Sequence, residues 1–101
     1  MMKKIVQQYI EENPIILLKA VGITDFPSMK TQIIVRCPLH KDNSPSLSLN
    51  LQKCIWNCFA GCGSGSFIKL YSVSKNLNSP SEFPLVLREI ADLYTGGKND
   101  E

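Results

Sequence analysis

Apolar and polar positions along the chain follow a helical period, then a period of two, then a helical period again. From Lys4 to Glu12, Ile5, Tyr9 and Ile10 recur at helical spacing among lysines, glutamines and glutamates, which predicts a short helix. Asn13-Pro14 has the form of an N-cap followed by proline at the first helical position. A second helix is predicted from Pro14 to about Val21, with Ile15, Leu17, Leu18 and Val21 turned to the core and Gly22 as its stop. The stretch 24–29, which contains Pro27, reads as loop.

The period then shortens. Residues 31–36 are rich in β-branched side chains and predict a strand running into Cys37. After a turn-forming stretch, 41–45, the segment Ser46-Leu47-Ser48-Leu49-Asn50 alternates strictly, and 53–57 forms the next strand. A hairpin centred on Leu51-Gln52 would pair Leu49 with Cys54 and Leu47 with Trp56, placing these four on one apolar face. A four-residue loop from Asn50 to Lys53 keeps the same register. Ser46, Ser48, Asn50, Lys53, Ile55 and Asn57 would share the other face. Gly63-Ser64-Gly65 reads as flexible backbone. Ser66 is placed to cap a helix over 67–74, with Phe67, Leu70 and Tyr71 on one side. Ser81 is the expected cap of a last helix reaching Tyr94, with Pro84 in its first turn and Phe83, Val86, Leu87, Ile90 and Tyr94 as its apolar stripe. These elements predict an α+β fold: a small antiparallel sheet with two short N-terminal helices and two C-terminal helices packed around it. Residues 1–96 form one domain in this reading, and 97–101 a disordered tail.

Composition changes this picture little. A chain of 101 residues supports one modest core, to which a structural metal would add. There is no apolar run long enough for a membrane span and no secretory signal at Met1–Gln8, so a cytoplasmic location is expected. The net charge of +2 permits nucleic-acid binding without arguing for it.

The cysteines change it more. Cys37-Pro38-Leu39-His40 and Cys58-Phe59-Ala60-Gly61-Cys62 set two soft ligand pairs on either side of the predicted hairpin. In a reducing compartment this spacing points to metal rather than to disulfides. Three sulfurs and one imidazole suit one tetrahedral zinc ion, whereas iron–sulfur motifs lack this histidine and spacing. The ligand set is therefore Cys37, His40, Cys58 and Cys62. Cys54 stands as an alternative to Cys62, since it too has three residues between itself and Cys58, although the hairpin register places it in the packed layer. Four protein ligands leave no open position, so the zinc would be structural. No catalytic constellation is read from the chain.

Taken together, Cys37-Pro38-Leu39-His40, Ser44-Pro45-Ser46-Leu47-Ser48-Leu49, Lys53, Trp56 through Gly63 and Gly65-Ser66-Phe67-Ile68 resemble the N-terminal zinc-binding domain of bacterial and phage DNA primases. The chain departs from that pattern by an extra residue in the second knuckle, by Leu47 in place of an aromatic, by Asn43 in place of a lysine and by Ser66 in place of an aspartate. The resemblance implies a zinc ribbon that binds single-stranded template DNA and helps select the start of primer synthesis during DNA replication. It makes the chain the non-catalytic domain of a primase, partnered by a polymerising domain or a replicative helicase. The candidates for backbone contacts are Lys30, Arg36, Lys41, Lys53 and Lys69, and Phe59 is the candidate for base stacking; Trp56 is assigned to the core by register. The alternative function is a zinc-ribbon adaptor that docks on a replication polymerase or helicase.

Overall fold

The computed structural model describes residues 2–24, 26, 31–39 and 45–96. Its centre is a four-stranded antiparallel sheet, β1 (Gln32–Val35), β2 (Leu47–Asn50), β3 (Ile55–Cys58) and β4 (Gly63–Ser66), whose strands lie side by side in chain order. Two helices precede the sheet, α1 (Met2–Glu12) and α2 (Pro14–Ala20), and two follow it, α3 (Phe67–Ser74) and α4 (Phe83–Thr95). This is the α+β arrangement of a zinc ribbon flanked by helices.

The period-two pattern decides which face of the sheet is buried. Ile33, Leu49, Trp56 and Gly65 are in register across the strands, and Val35, Leu47, Cys58 and Gly63 form the next row. The large side chains of both rows are buried, and they join the helices in one continuous apolar core. Helix α3 is the joint: it packs on β3 and β4, while α1, α2 and α4 pack chiefly on one another and on α3. The result is elongated, 43 × 28 × 19 Å. Tyr94 fastens the helical end, stacking on Tyr9 at 5.7 Å between ring centroids and donating its hydroxyl to the Asn13 carbonyl at 2.7 Å.

Four sequence expectations are corrected by the structure. The hairpin pairs Leu47 with Cys58 and Leu49 with Trp56, two residues away from the expected register. The cause lies in the turn. Asn50 accepts the amides of Gln52 (3.1 Å) and Lys53 (2.8 Å) on its side-chain oxygen, and its carbonyl accepts the Cys54 amide at 2.8 Å. This closes a longer loop in which Cys54 takes a left-handed conformation, φ 57°. A slip of two preserves the alternation, so the same residues still face inward.

The second correction is β4: the glycine–serine stretch expected to be flexible is a strand paired with β3. The third concerns α1, which turns Val6 and Ile10 to the core and leaves Ile5 half exposed. The fourth is the cap of α4. Ser81 lies within a single 3₁₀ turn, Pro80–Glu82, that leads into the helix. Ser79 caps that turn, its amide donating to the Glu82 carboxylate in a capping box, and Glu82 itself occupies the N-cap position of α4. Ser66 caps α3 as expected, accepting the Lys69 amide at 3.2 Å. No helix among the described residues is long and apolar enough to cross a membrane. The expected disordered tail, 97–101, lies outside the described residues.

Candidate metal centre

The ligand residues gather at one end of the sheet because the strands carry them there. Cys37 follows β1, Cys58 is the last residue of β3, and Cys62 immediately precedes β4. Their sulfurs all lie within 4.8 Å of one another, and those of Cys37 and Cys62 are 3.8 Å apart. Two thiolates on a tetrahedral zinc at about 2.3 Å would be separated by about 3.8 Å. None of the four cysteines is in a disulfide. Cys54 is fully buried in the β2–β3 turn, its thiol directed to the Leu51 carbonyl at 3.8 Å, and it is not part of the cluster. Of the two alternatives, it is Cys62 whose sulfur lies with those of Cys37 and Cys58.

The second knuckle absorbs its extra residue in a turn closed by the Gly61 amide on the Cys58 carbonyl at 3.1 Å. Gly63, next in the chain, has φ 135°, and a Cβ there would stand 3.2 Å from the Trp56 ring. A glycine is needed after Cys62 on both counts, backbone conformation and space. The knuckle is therefore seated directly against the core tryptophan.

The electrostatics of the cluster suit a cation. Burial pushes the Cys58 thiol up, but this is outweighed by the backbone amides of Cys62 and Ala60 and by the Ser46 hydroxyl, which bring it down to about 7. Burial pushes Cys37 up to about 12, and its neighbours Cys58 and Cys62 add to the rise while the Leu39 amide opposes it. Thiolates this close repel one another unless a positive ion lies between them. An ion that supplies this charge makes thiolates of all three at neutral pH.

The sequence matches the CHC2 zinc-finger family, the zinc ribbon of DnaG, over residues 18–94. The chain belongs to this family. Curated proteins and solved structures give no match. Membership and donor chemistry agree: this CHC2 zinc finger is a zinc-binding domain of the DnaG primase type, and Cys37, Cys58 and Cys62 are placed to hold the ion.

The remaining candidates of the CHC2 finger are spread around this centre. His40, Lys30 and Lys41 lie outside the described residues. Arg36, Lys53 and Lys69 are exposed, on the end of β1, in the β2–β3 turn and on α3 respectively. Phe59 projects from the second knuckle and is 63% exposed, whereas Trp56 is buried at 3%. Sequence reasoning missed two features. Ser46, assigned to the solvent face, reaches the metal cluster with its hydroxyl 3.8 Å from the Cys58 sulfur; nothing in the alternating pattern distinguishes it from Ser48. The other is Ile34, exposed at 45% in the outer-face row of Ser48 and Asn57, beside Ile55 of the adjacent row, which the sequence had already placed outward. Ile33-Ile34-Val35 is a continuous apolar run, so no alternation of polarity marked Ile34 as outward.

Proposed function

We propose that this domain binds single-stranded template DNA across the outer face of its sheet and helps place it for primer initiation by a polymerising domain. The observation that supports the reading best is the make-up of that face. Asn57 and Ser64 offer hydrogen-bonding groups there, joined by the amide nitrogen of Asn50, whose oxygen holds the turn, and the amide oxygen of Gln32, whose nitrogen donates to Ser48, with Ile34 and Ile55 exposed among them. Phe59 stands at the knuckle end. Unstacked bases are recognised by such a combination of amide and hydroxyl groups with an aromatic ring to stack on. Arg36, Lys53 and Lys69, together with Lys30 and Lys41, are the proposed phosphate contacts.

His40 is proposed as the fourth ligand, completing a Cys-His-Cys-Cys set with Cys37, Cys58 and Cys62. A zinc so enclosed has no open position and acts as a staple. The chemistry of recognition then falls to the sheet and to Phe59.

Fluorescence anisotropy with a labelled single-stranded oligonucleotide and the zinc-loaded domain tests the reading. Binding at low salt is expected, with each phosphate contact adding about −0.7 to the log–log salt slope. Phe59→Ala is expected to cost about 1–3 kcal/mol of affinity. Absence of binding at low salt by zinc-loaded protein would overturn the proposal and leave the adaptor reading.

A further inference from the structure

A second surface of the molecule carries uncompensated positive charge. Between α1, α3 and the start of α4 runs an open groove of about 1200 Å³, lined by Lys3 and Lys4 on one wall and Lys69 on the other, with Phe83 at one end. Its volume exceeds the roughly 300–1,000 Å³ of an ordinary small-molecule pocket. A segment of polymer fits it better than a metabolite. None of these lysines makes an ion pair among the described residues. The groove's one carboxylate, Glu11, accepts from the Gln7 side chain at 3.2 Å instead.

Lys69 is held in place by the backbone beneath it. A Cβ on Gly65 would stand 2.8 Å from the Lys69 Cδ, so the lysine stem lies directly over the glycine of strand β4. Ser66, the next residue of that strand, belongs to two surfaces at once. It is in register with Ile55 on the sheet, and it lines the groove. The sheet face and the groove therefore meet at β4.

We infer that the groove is a continuation of the nucleic-acid path: a single strand lying on the sheet passes Ser66 and Lys69 and enters between α1 and α3, where Lys3 and Lys4 take its phosphates. This inference rests on the proposed sheet-binding reading. Charge complementarity selects an anionic occupant. The other lining side chains are mostly amides and hydroxyls, with Ile68 and Phe83 the apolar members. The surface they expose is nonetheless largely apolar, lysine stems included, so it is the lysine charge that selects an anionic strand, whose bases can lie on that apolar surface.

The test compares oligothymidylates of about 6 and about 16 nucleotides, within the range of small single-strand sites. Both are titrated against the zinc-loaded domain and its Lys3→Gln/Lys4→Gln variant. Both lysines are exposed on α1, so the fold is expected to be unchanged. The variant should bind the longer strand about 25-fold more weakly at 0.1 M salt, with a log–log slope shallower by about 1.4, as for two lost phosphate contacts. Its binding of the shorter strand should match the parent's. Lys3→Arg/Lys4→Arg should bring the longer strand's affinity back.

Equal affinity and slope for the longer strand in parent and double variant would overturn the inference while leaving sheet binding intact. Capture of an acidic peptide by Lys3 and Lys4, with DNA binding unmoved, would also overturn it. If the parent binds neither strand, the sheet reading itself fails and the inference with it.

Discussion

At the helical end Val6, Ile10, Leu17, Leu18, Val86 and Ile90 have no solvent exposure. At the knuckle end the outermost row of the sheet offers only Val35, Leu47, Cys58 and Gly63 before the chain runs out into turns. The helices bury enough apolar surface on one another to hold together by packing. The knuckles have little to bury, and their order depends on a centre where the sulfurs of Cys37, Cys58 and Cys62 converge. One chain thus uses both common sources of stability for a small domain, each where the other is short. Phe67 and Leu70 on α3 link the two, since both are buried and α3 touches β3 and β4 as well as α4.

Removing zinc is the largest perturbation, because a structural zinc can contribute roughly 10–16 kcal/mol in zinc-finger peptides. Titration with a chelator is expected to shift the emission of Trp56 to the red as the knuckle, with Gly63, leaves the Trp56 ring, while most of the helical far-UV signal persists. Simultaneous loss of both signals would erase the distinction between the two ends.

Phe67→Ala comes next. Phe67 is 1% exposed, and its amide bonds the Cys54 carbonyl at 3.0 Å, so it belongs to helix and ribbon alike. A cost of about 3–5 kcal/mol is expected. Urea unfolding followed by circular dichroism and by Trp56 fluorescence should show the same loss with both probes. A loss confined to one probe would show that α3 does not couple the ends.

The smallest effect is confined to the helical end. Tyr71 donates its hydroxyl to Glu89 at 2.8 Å. Burial, and then this bond and the charge of Glu89, push its pKa from 10.0 up to about 12. The folded protein holds this proton more tightly than the unfolded chain. The stability it contributes is whole below about pH 10 and is lost as pH rises through about 12. Thermal melts across that range should show the decline, and Tyr71→Phe should reduce it, leaving the part carried by Tyr94, which burial also pushes up to about 12.

The cysteine cluster and helix α3 were legible because each is written locally. The cysteine spacings mark the knuckles, and Ser66 followed by an apolar stripe marks the cap and face of α3. What escaped depends on partners distant in sequence or on competing local signals. Gly63-Ser64-Gly65-Ser66 has no β-branched residue, and only pairing with β3 makes it a strand. The hairpin register turned on Asn50 folding over the following amides and on Cys54 accepting a left-handed backbone, which cysteine rarely does. Val6 and Ile5 are equivalent by hydropathy, and the position of α4 decided between them. Ser81 was expected to cap α4, but Glu82, three residues after Ser79, favours a capping box that starts a 3₁₀ turn at Ser79 ahead of the helix.

The cluster that joins Cys37 to Cys62 spans 25 positions of chain. An ion held by both residues closes that segment into a ring, much as a disulfide would. In a chain-entropy treatment, closing a loop of this length lowers the freedom of the unfolded ensemble by about 3.5 kcal/mol. Strands β2 and β3 and the turn at Asn50 lie inside the ring, and all four helices lie outside it. The hairpin's own pairing already draws the ends of the loop together. In folding terms, the ion completes a circuit that local contacts have nearly shut.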